Sequence, residues 1–168
     1  VQTVRLPEGI QSIGVSAFAD CAKLTKVNLT AACKTVGTYA FGGCGRLTEV
    51  GSIESLTAIA EGTFLGCASL TEADLTAVTA VGAHAFSGCK SLKSVALGDG
   101  ITAIGDYAFS DCAALGEFHL PAKLETLGNG VLTGCAPTLT ITGGNNTYHT
   151  INGSLYCRTG RSAEKLLK

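Results

Sequence analysis

The chain has 168 residues, 46% of them hydrophobic and only 15% charged, with a formal net charge of −1. That balance excludes a disordered polyelectrolyte, and the lack of clustered lysine and arginine argues against a nucleic-acid partner, whose phosphates would need neutralising. No apolar run approaches the roughly 18 to 20 residues that a helix needs to cross a bilayer, so no membrane insertion is expected of this fragment.

A fixed period runs through the sequence from its start. Val1 to Gly14 already carry it, with no initiating Met or leader to read, so the chain is expected to be a piece of a longer protein. Each repeat opens on an alternating stretch, as in Leu24-Thr25-Lys26-Val27-Asn28-Leu29, Leu70 to Leu75, Leu92 to Leu97 and Leu115 to Leu120. Alternation at period two predicts a strand with one buried face, and one such strand per coil predicts a parallel sheet. A second apolar pair follows (Ile10 and Ile13, Cys33 and Val36, Leu56 and Ile59, Val78 and Val81, Ile101 and Ile104, Leu124 and Leu127) and returns the chain along the opposite wall.

Each repeat then closes on Gly-x-x-Ala-Phe-x-x-Cys, as in Gly14 to Cys21, Gly37 to Cys44 and Gly105 to Cys112; Ala60 to Cys67 and Gly82 to Cys89 depart slightly, and Gly128 to Cys135 carries Leu132 in place of Phe. The stretch is long enough for a single helical or 3-10 turn, with Thr38, Asp106 and Asn129 placed as N-caps. Gly43, Gly66, Gly88 and Gly134, or Asp20 and Asp111, precede the Cys as residues that tolerate a left-handed conformation.

Departures from the frame follow in chain order. Ser52 stands at an apolar strand position with Ile53 displaced by one, which predicts a bulge or early strand exit. One residue is missing between Leu75 and Val78, a deletion expected in a turn. After Cys135, Ala136-Pro137 is read as adding a residue before Leu139-Thr140-Ile141-Thr142. Tyr148 to Ile151 and Ser154 to Cys157 then flank Asn152-Gly153, a strong hairpin signal. The expected organisation is a solenoid of about six coils over residues 1–142 and a capping hairpin within 143–168 in the same domain.

The run Leu-x-x-Val-x-Leu-(Pro)-x-x-Ile-x-x-Ile-Gly-x-x-Ala-Phe-x-x-Cys resembles the BspA-type leucine-rich repeat, also called the Treponema pallidum type, over about residues 1–142. The tail, with Asn152-Gly153-Ser154-Leu155-Tyr156, is similar to a hairpin that often closes blocks of such repeats. The fold class expected is α/β, a leucine-rich-repeat solenoid with one parallel strand and a short helical or 3-10 turn per coil of 22 or 23 residues. The resemblance implies a surface-exposed or secreted protein of a host-associated microbe, acting in adhesion or binding.

Two ladders invite a chemical reading. Cys21, Cys44, Cys67, Cys89, Cys112 and Cys135 recur at intervals of 23, 23, 22, 23 and 23. That is a repeat period and not a disulfide framework, and it lacks the paired short spacing of a zinc site. These thiols, with Cys33, are expected free and buried as small hydrophobes; Cys157 lies outside the ladder and is expected to be part-exposed. Phe18, Phe41, Phe64, Phe86 and Phe109 share the same register and are expected to form the spine of the core.

The outward strand positions carry the functional expectation. Thr3 and Arg5, Lys26 and Asn28, Glu49 and Gly51, Glu72 and Asp74, Ser94 and Ala96, Glu117 and His119, then Thr140 and Thr142 are expected to form two columns, basic at one end and acidic in the middle, that meet a protein or glycan partner. The competing reading is a structural spacer whose repeats bind nothing and present another domain. No enzymatic activity, metal or cofactor is expected: His84, His119 and His149 occupy different parts of the coil and have no Ser or Cys at a motif spacing, and phosphate-binding glycine fingerprints are missing. A monomer is expected. The sequons at Asn28, Asn145 and Asn152 would matter only in a eukaryotic secretory pathway.

Overall fold

The structure, a computed structural model, describes residues 2–51, 53–151 and 154–157. Seven strands line one wall: β1 (Thr3–Arg5), β3 (Lys26–Asn28), β5 (Glu49–Val50), β7 (Glu72–Leu75), β9 (Ser94–Leu97), β11 (Glu117–Leu120) and β13 (Thr138–Ile141). Six two-residue strands line the return wall: β2 (Ser12–Ile13), β4 (Thr35–Val36), β6 (Ala58–Ile59), β8 (Ala80–Val81), β10 (Ala103–Ile104) and β12 (Thr126–Leu127). All pairings along both walls are parallel, and β14 (Tyr148–Ile151) pairs antiparallel with β15 (Ser154–Cys157). The turn residues Asn152 and Gly153 lie outside the described residues.

A third wall is made by the Gly-x-x-Ala-Phe-x-x-Cys segments, and it contains no helix. The expected helical or 3-10 turn is corrected by the hydrogen bonds. In the first coil Ala17, Ala19 and Cys21 donate to carbonyls three residues back, those of Gly14, Ser16 and Phe18. The alternate N–H groups, of Ser16, Phe18 and Asp20, donate instead to Thr38, Ala40 and Gly42 of the next coil. A 3-10 helix needs every N–H to point back along its own chain; here half of them bridge to a neighbour. Alternate peptides must therefore face opposite ways, which requires left-handed residues at two places per coil. The second precedes the Cys and holds Asp20, Gly43, Gly66, Gly88, Asp111 and Gly134, all at positive φ as their types predict. The first holds Ser16, Tyr39, Gly62, His84, Tyr107 and Gly130, also all at positive φ. The N-cap assignment fails for the same reason: the Asp106 carboxylate accepts the backbone N–H of Asn129 in the next coil at 2.7 Å, not one of its own turn.

The same three-bond pattern recurs at every junction, as in Tyr39, Phe41 and Gly43 donating to Glu61, Thr63 and Leu65, and Tyr107, Phe109 and Asp111 donating to Asn129, Val131 and Thr133. Coils that close need room for backbone on backbone. A Cβ on Gly105 would stand 2.5 Å from the Ala83 nitrogen, inside any real contact distance. Ala60 alone occupies that place among the coils, and the β4 to β6 ladder beside it is missing.

Inside, the phenylalanines stack. Ring centroids from Phe18 to Phe109 are 5.2–5.6 Å apart, and the rings lie within 22° of parallel. The sixth coil exchanges its residues: Leu132 takes the turn position, and Phe118 of β11, where the five earlier strands of the wall carry Val or Ala, meets Phe109 edge-on at 5.2 Å. Tyr148 and Leu155 of the terminal hairpin are buried in the same core.

The last strand corrects one register. Glu117 pairs with Thr138 and His119 with Thr140, so Thr142 lies beyond β13. The interval from Cys135 to the first outward residue is two shorter than in other coils; Ala136-Pro137 shortens the entry instead of adding to it. The early strand exit expected near Ser52 is partly visible, since β5 ends at Val50; Ser52 itself lies outside the described residues.

Phe64 is 1% exposed between two stacked neighbours. Phe64→Ala is expected to lower unfolding free energy by about 3 to 5 kcal/mol in urea titration. Gly105→Ala, which must push two coils apart, is expected to cost about 1 to 3 kcal/mol; an unchanged denaturation midpoint would contradict the packing described.

Candidate functional site: the outer face of the strand wall

Along β1 to β13 side chains alternate inward and outward, and the register aligns Thr3, Lys26 and Glu49 in one row and Arg5 with Asn28 in the next. Glu72 stands opposite Ser94, Asp74 opposite Ala96, Glu117 opposite Thr138 and His119 opposite Thr140. Arg5, Lys26, Asn28, Glu49, Glu72, Asp74, Ser94, Glu117, His119 and Thr140 are exposed, and Thr142 is half-buried.

Some of these groups already hold partners. The Lys26 ammonium lies 2.6 Å from the Glu49 carboxylate, which partly offsets the expected division into a basic end and an acidic middle. Asn28 accepts the Leu6 N–H at 2.8 Å. Asp74 accepts from the Thr76 hydroxyl at 2.7 Å and the Thr76 N–H at 3.0 Å, and these bonds hold its carboxyl below the usual range. His119 bridges two hydroxyls, Thr140 at 2.7 Å through Nδ1 and Thr142 through Nε2. Among the described residues the side chains of Arg5, Glu72, Ser94 and Glu117 make no hydrogen bond or ion pair.

The wall is not continuous. Thr48 N–H donates to Thr25 and Lys93 N–H to Thr71, but the corresponding bond from Thr71 to Thr48 is missing, and no ladder joins β5 to β7. Between β9 and β11, by contrast, Gly116 still donates to Lys93 at 3.3 Å. The β5 to β7 break opens a cleft of about 340 Å³ with Phe64 and Phe86 at its base and Glu49 and Glu72 at its mouth. Sequence periodicity signals the exit at Ser52 but cannot show a cavity, which depends on how far neighbouring coils part.

The cysteines take no part in this face. Cys44, Cys67, Cys89, Cys112 and Cys135 each donate a thiol hydrogen bond, 3.0–3.3 Å long, to the carbonyl of the phenylalanine in the preceding coil. Burial pushes the Cys44 thiol up to about 11 and Cys89 to about 12, and raises Cys67 as well. Among the described residues no group of His, Cys, Asp or Glu converges as around a metal ion, and no helix is long and apolar enough to cross a membrane.

The sequence matches the model of the BspA type leucine rich repeat region in six copies, over residues 1–89 and 75–163. The chain belongs to this family. Its BspA-type frame is also similar to the crystal structure of a leucine rich cell surface protein from Faecalibacterium prausnitzii, with 30% identity and a TM-score of 0.85, covering 95% of this chain and 44% of that one. A Treponema pallidum leucine rich repeat protein matches at 29% identity and a TM-score of 0.75, covering 83% of this chain and 72% of that one. A pneumococcal vaccine antigen, at 19% identity and a TM-score of 0.63 over 94% of this chain and 34% of its own, shares the fold. The chain spans less than half the length of the F. prausnitzii protein. No curated protein matches it.

Three measurements check these assignments. Because the buried thiols titrate above their ordinary value near 9, the neutral form stabilises the fold fully below pH 9, and that contribution is lost as pH rises through about 11 to 12. The urea midpoint is expected to fall across that window, and a thiol reagent at neutral pH to reach half-exposed Cys21 and Cys135 well before Cys44, Cys67, Cys89 or Cys112. Lys26→Ala, by contrast, removes an ion pair with both side chains more than half exposed, 55% and 62%. Its effect on stability is expected to stay within about 1 kcal/mol.

Proposed function

We propose that this BspA-type chain is a binding module of a cell-surface or secreted protein, engaging a protein or glycan partner through the outer face of the strand wall. One observation carries the reading. The face arrays charged and polar side chains that packing does not require, and an apolar-floored cleft interrupts it, where a wall serving only as a spacer needs neither. Interfaces join such features, an apolar anchor surrounded by polar groups that set orientation and register.

The description of the F. prausnitzii relative as a cell surface protein supports the location. Arg5, Lys26, Asn28, Glu49, Glu72, Asp74, Ser94, Glu117, His119, Thr140 and Thr142 are the residues proposed to meet the partner, with Thr138 added by the observed register. Residues 143–168, described over 143–151 and 154–157, are proposed to cap the solenoid: Tyr148 and Leu155 cover its end, and the Asn145 amide donates to Pro121 at 2.8 Å.

The test is direct binding of the chain to a panel of extracellular-matrix proteins and glycans. Binding is expected, and reversal of Glu72 and Asp74 to lysine is expected to weaken it about tenfold. A partner that ignores the reversal removes this part of the face from the site, and a clean negative across the panel leaves the spacer.

A further inference from the structure

The cleft between β5 and β7 has a local cause in two residues. Ala73 occupies the inward position that Val4, Val27, Val50 and Val95 fill in other coils, so two methyl groups are missing from this layer. Gly51 turns the chain out of the wall at a φ of +38°. It is pressed so closely on the preceding coil that a Cβ would lie 2.5 Å from the Leu29 nitrogen. The strand therefore ends at Val50, and the Thr71 N–H and Thr48 C=O are left without their ladder bond, both in exposed residues. Phe64, Phe86, Leu70, Ile53, Val50 and Ala73 supply the apolar lining.

We propose that this cleft anchors an extended segment of a partner polypeptide, taking one of its apolar side chains while a flanking lysine or arginine meets Glu72. This rests on the face-binding reading above and names the partner's chemistry. Four features select that occupant. A volume of about 340 Å³ sits at the low end of ligand pockets and suits one large side chain better than a whole ligand. Aliphatic and aromatic groups outnumber the polar ones of the lining, Thr48, Glu49 and Glu72, so the many hydroxyls of a sugar would lose more contacts with water than the cleft could replace. Unpaired strand edges accept extended backbone, the means by which peptides add to sheets. The mouth is acidic: Glu49 is matched by Lys26, but Glu72 makes no ion pair among the described residues, and Asp74 follows it on the same strand. An apolar anchor beside a cationic residue complements both features.

The experiment titrates the whole isotope-labelled chain with three end-blocked heptapeptides of alternating threonine, followed by amide NMR shifts. One has a central phenylalanine flanked by lysines, one the same phenylalanine flanked by glutamates, and one a central serine flanked by lysines. The phenylalanine–lysine peptide is expected to shift the amides of Val50, Glu72 and Ala73, and the other two to bind about tenfold more weakly or worse. Ala73→Val, which installs the side chain other coils already carry, is expected to leave the melting temperature unlowered and to abolish binding. Glu72→Lys, at an exposed position, is expected to transfer preference to the glutamate peptide. No binding at millimolar peptide, shifts centred elsewhere, or binding that survives Ala73→Val each overturns the proposal. The broader reading is separated by the panel partner: if that partner's binding falls on reversal of Glu72 and Asp74 but not with Ala73→Val, the face stands and the anchor fails. If neither variant weakens it, both fail.

Discussion

The structure depends on one hydrogen-bond pattern, the three N–H groups that each turn segment donates to the next. Among the described residues this backbone seam runs without interruption through the six turn segments from Gly14 to Cys135, whereas the ladders of both strand walls are broken. Its geometry sets the others. Coils held at the spacing of a peptide hydrogen bond bring successive phenylalanine rings to 5.2–5.6 Å and place the thiols of Cys44, Cys67, Cys89, Cys112 and Cys135 against the carbonyl of the phenylalanine one coil back. The bonds also account for a local penalty. Tyr39, His84 and Tyr107 sit at φ values of 54–55°, a conformation that disfavours residues with a Cβ by roughly 1 to 2 kcal/mol each. They hold it because relaxing the dihedral would turn a peptide away from its neighbour and break the seam.

A continuous turn wall permits discontinuous strand walls. The third coil shows this most clearly: its β5 pairs backward with β3, and its β6 pairs forward with β8. Between β4 and β6 the backbone ladder is replaced by a single side-chain bond from the Ser55 hydroxyl to Cys33. Ala60, standing where other coils have glycine, adds a methyl group beside that same junction. Between β5 and β7 the Ser69 hydroxyl donates to Gly45 at 2.8 Å just before the strands begin, and the cleft opens beyond that bond, where no ladder follows. Neither break separates the coils, because Tyr39, Phe41 and Gly43 still donate across one junction and Gly62, Phe64 and Gly66 across the next. Local irregularity on the binding wall is thus compatible with an intact core.

What could be read from the sequence follows from what is local to it. The period, the inward rows and the burial of phenylalanine and cysteine need only alternation and spacing, and the left-handed residue before each Cys is announced by Asp or Gly. The helical turn is expected from length alone, but eight residues of helical length say nothing about where their N–H groups go, and the partner that takes half of them is some 23 residues away. The first left-handed position was hidden by its occupants, since Tyr and His are poor indicators of positive φ. Alternation pairs Thr140 with Thr142 as the outward residues of the last strand; the register depends on the entry at Ala136-Pro137, and it sets Thr138 opposite Glu117 and Thr140 opposite His119. The exchange of Phe118 for a phenylalanine at position 132 was equally invisible, because only the three-dimensional layer unites the two residues. On the outer face, composition identified the exposed residues, but pairings such as Lys26 with Glu49 and His119 with Thr140 needed the coordinates.

The separation of walls also bears on how such a face can specialise. A change in a turn segment disturbs three bonds on each side and the ring stack beneath, so its effects reach both neighbouring coils. A change at Glu72 or Glu117 disturbs no side-chain bond, and one at Lys26 affects a single exposed pair. Constraint and freedom therefore fall on different positions of the same repeat. A solenoid built this way can alter one coil's outward residues, or shorten one strand and open a cleft beneath it, while the seam that carries the fold stays as it is.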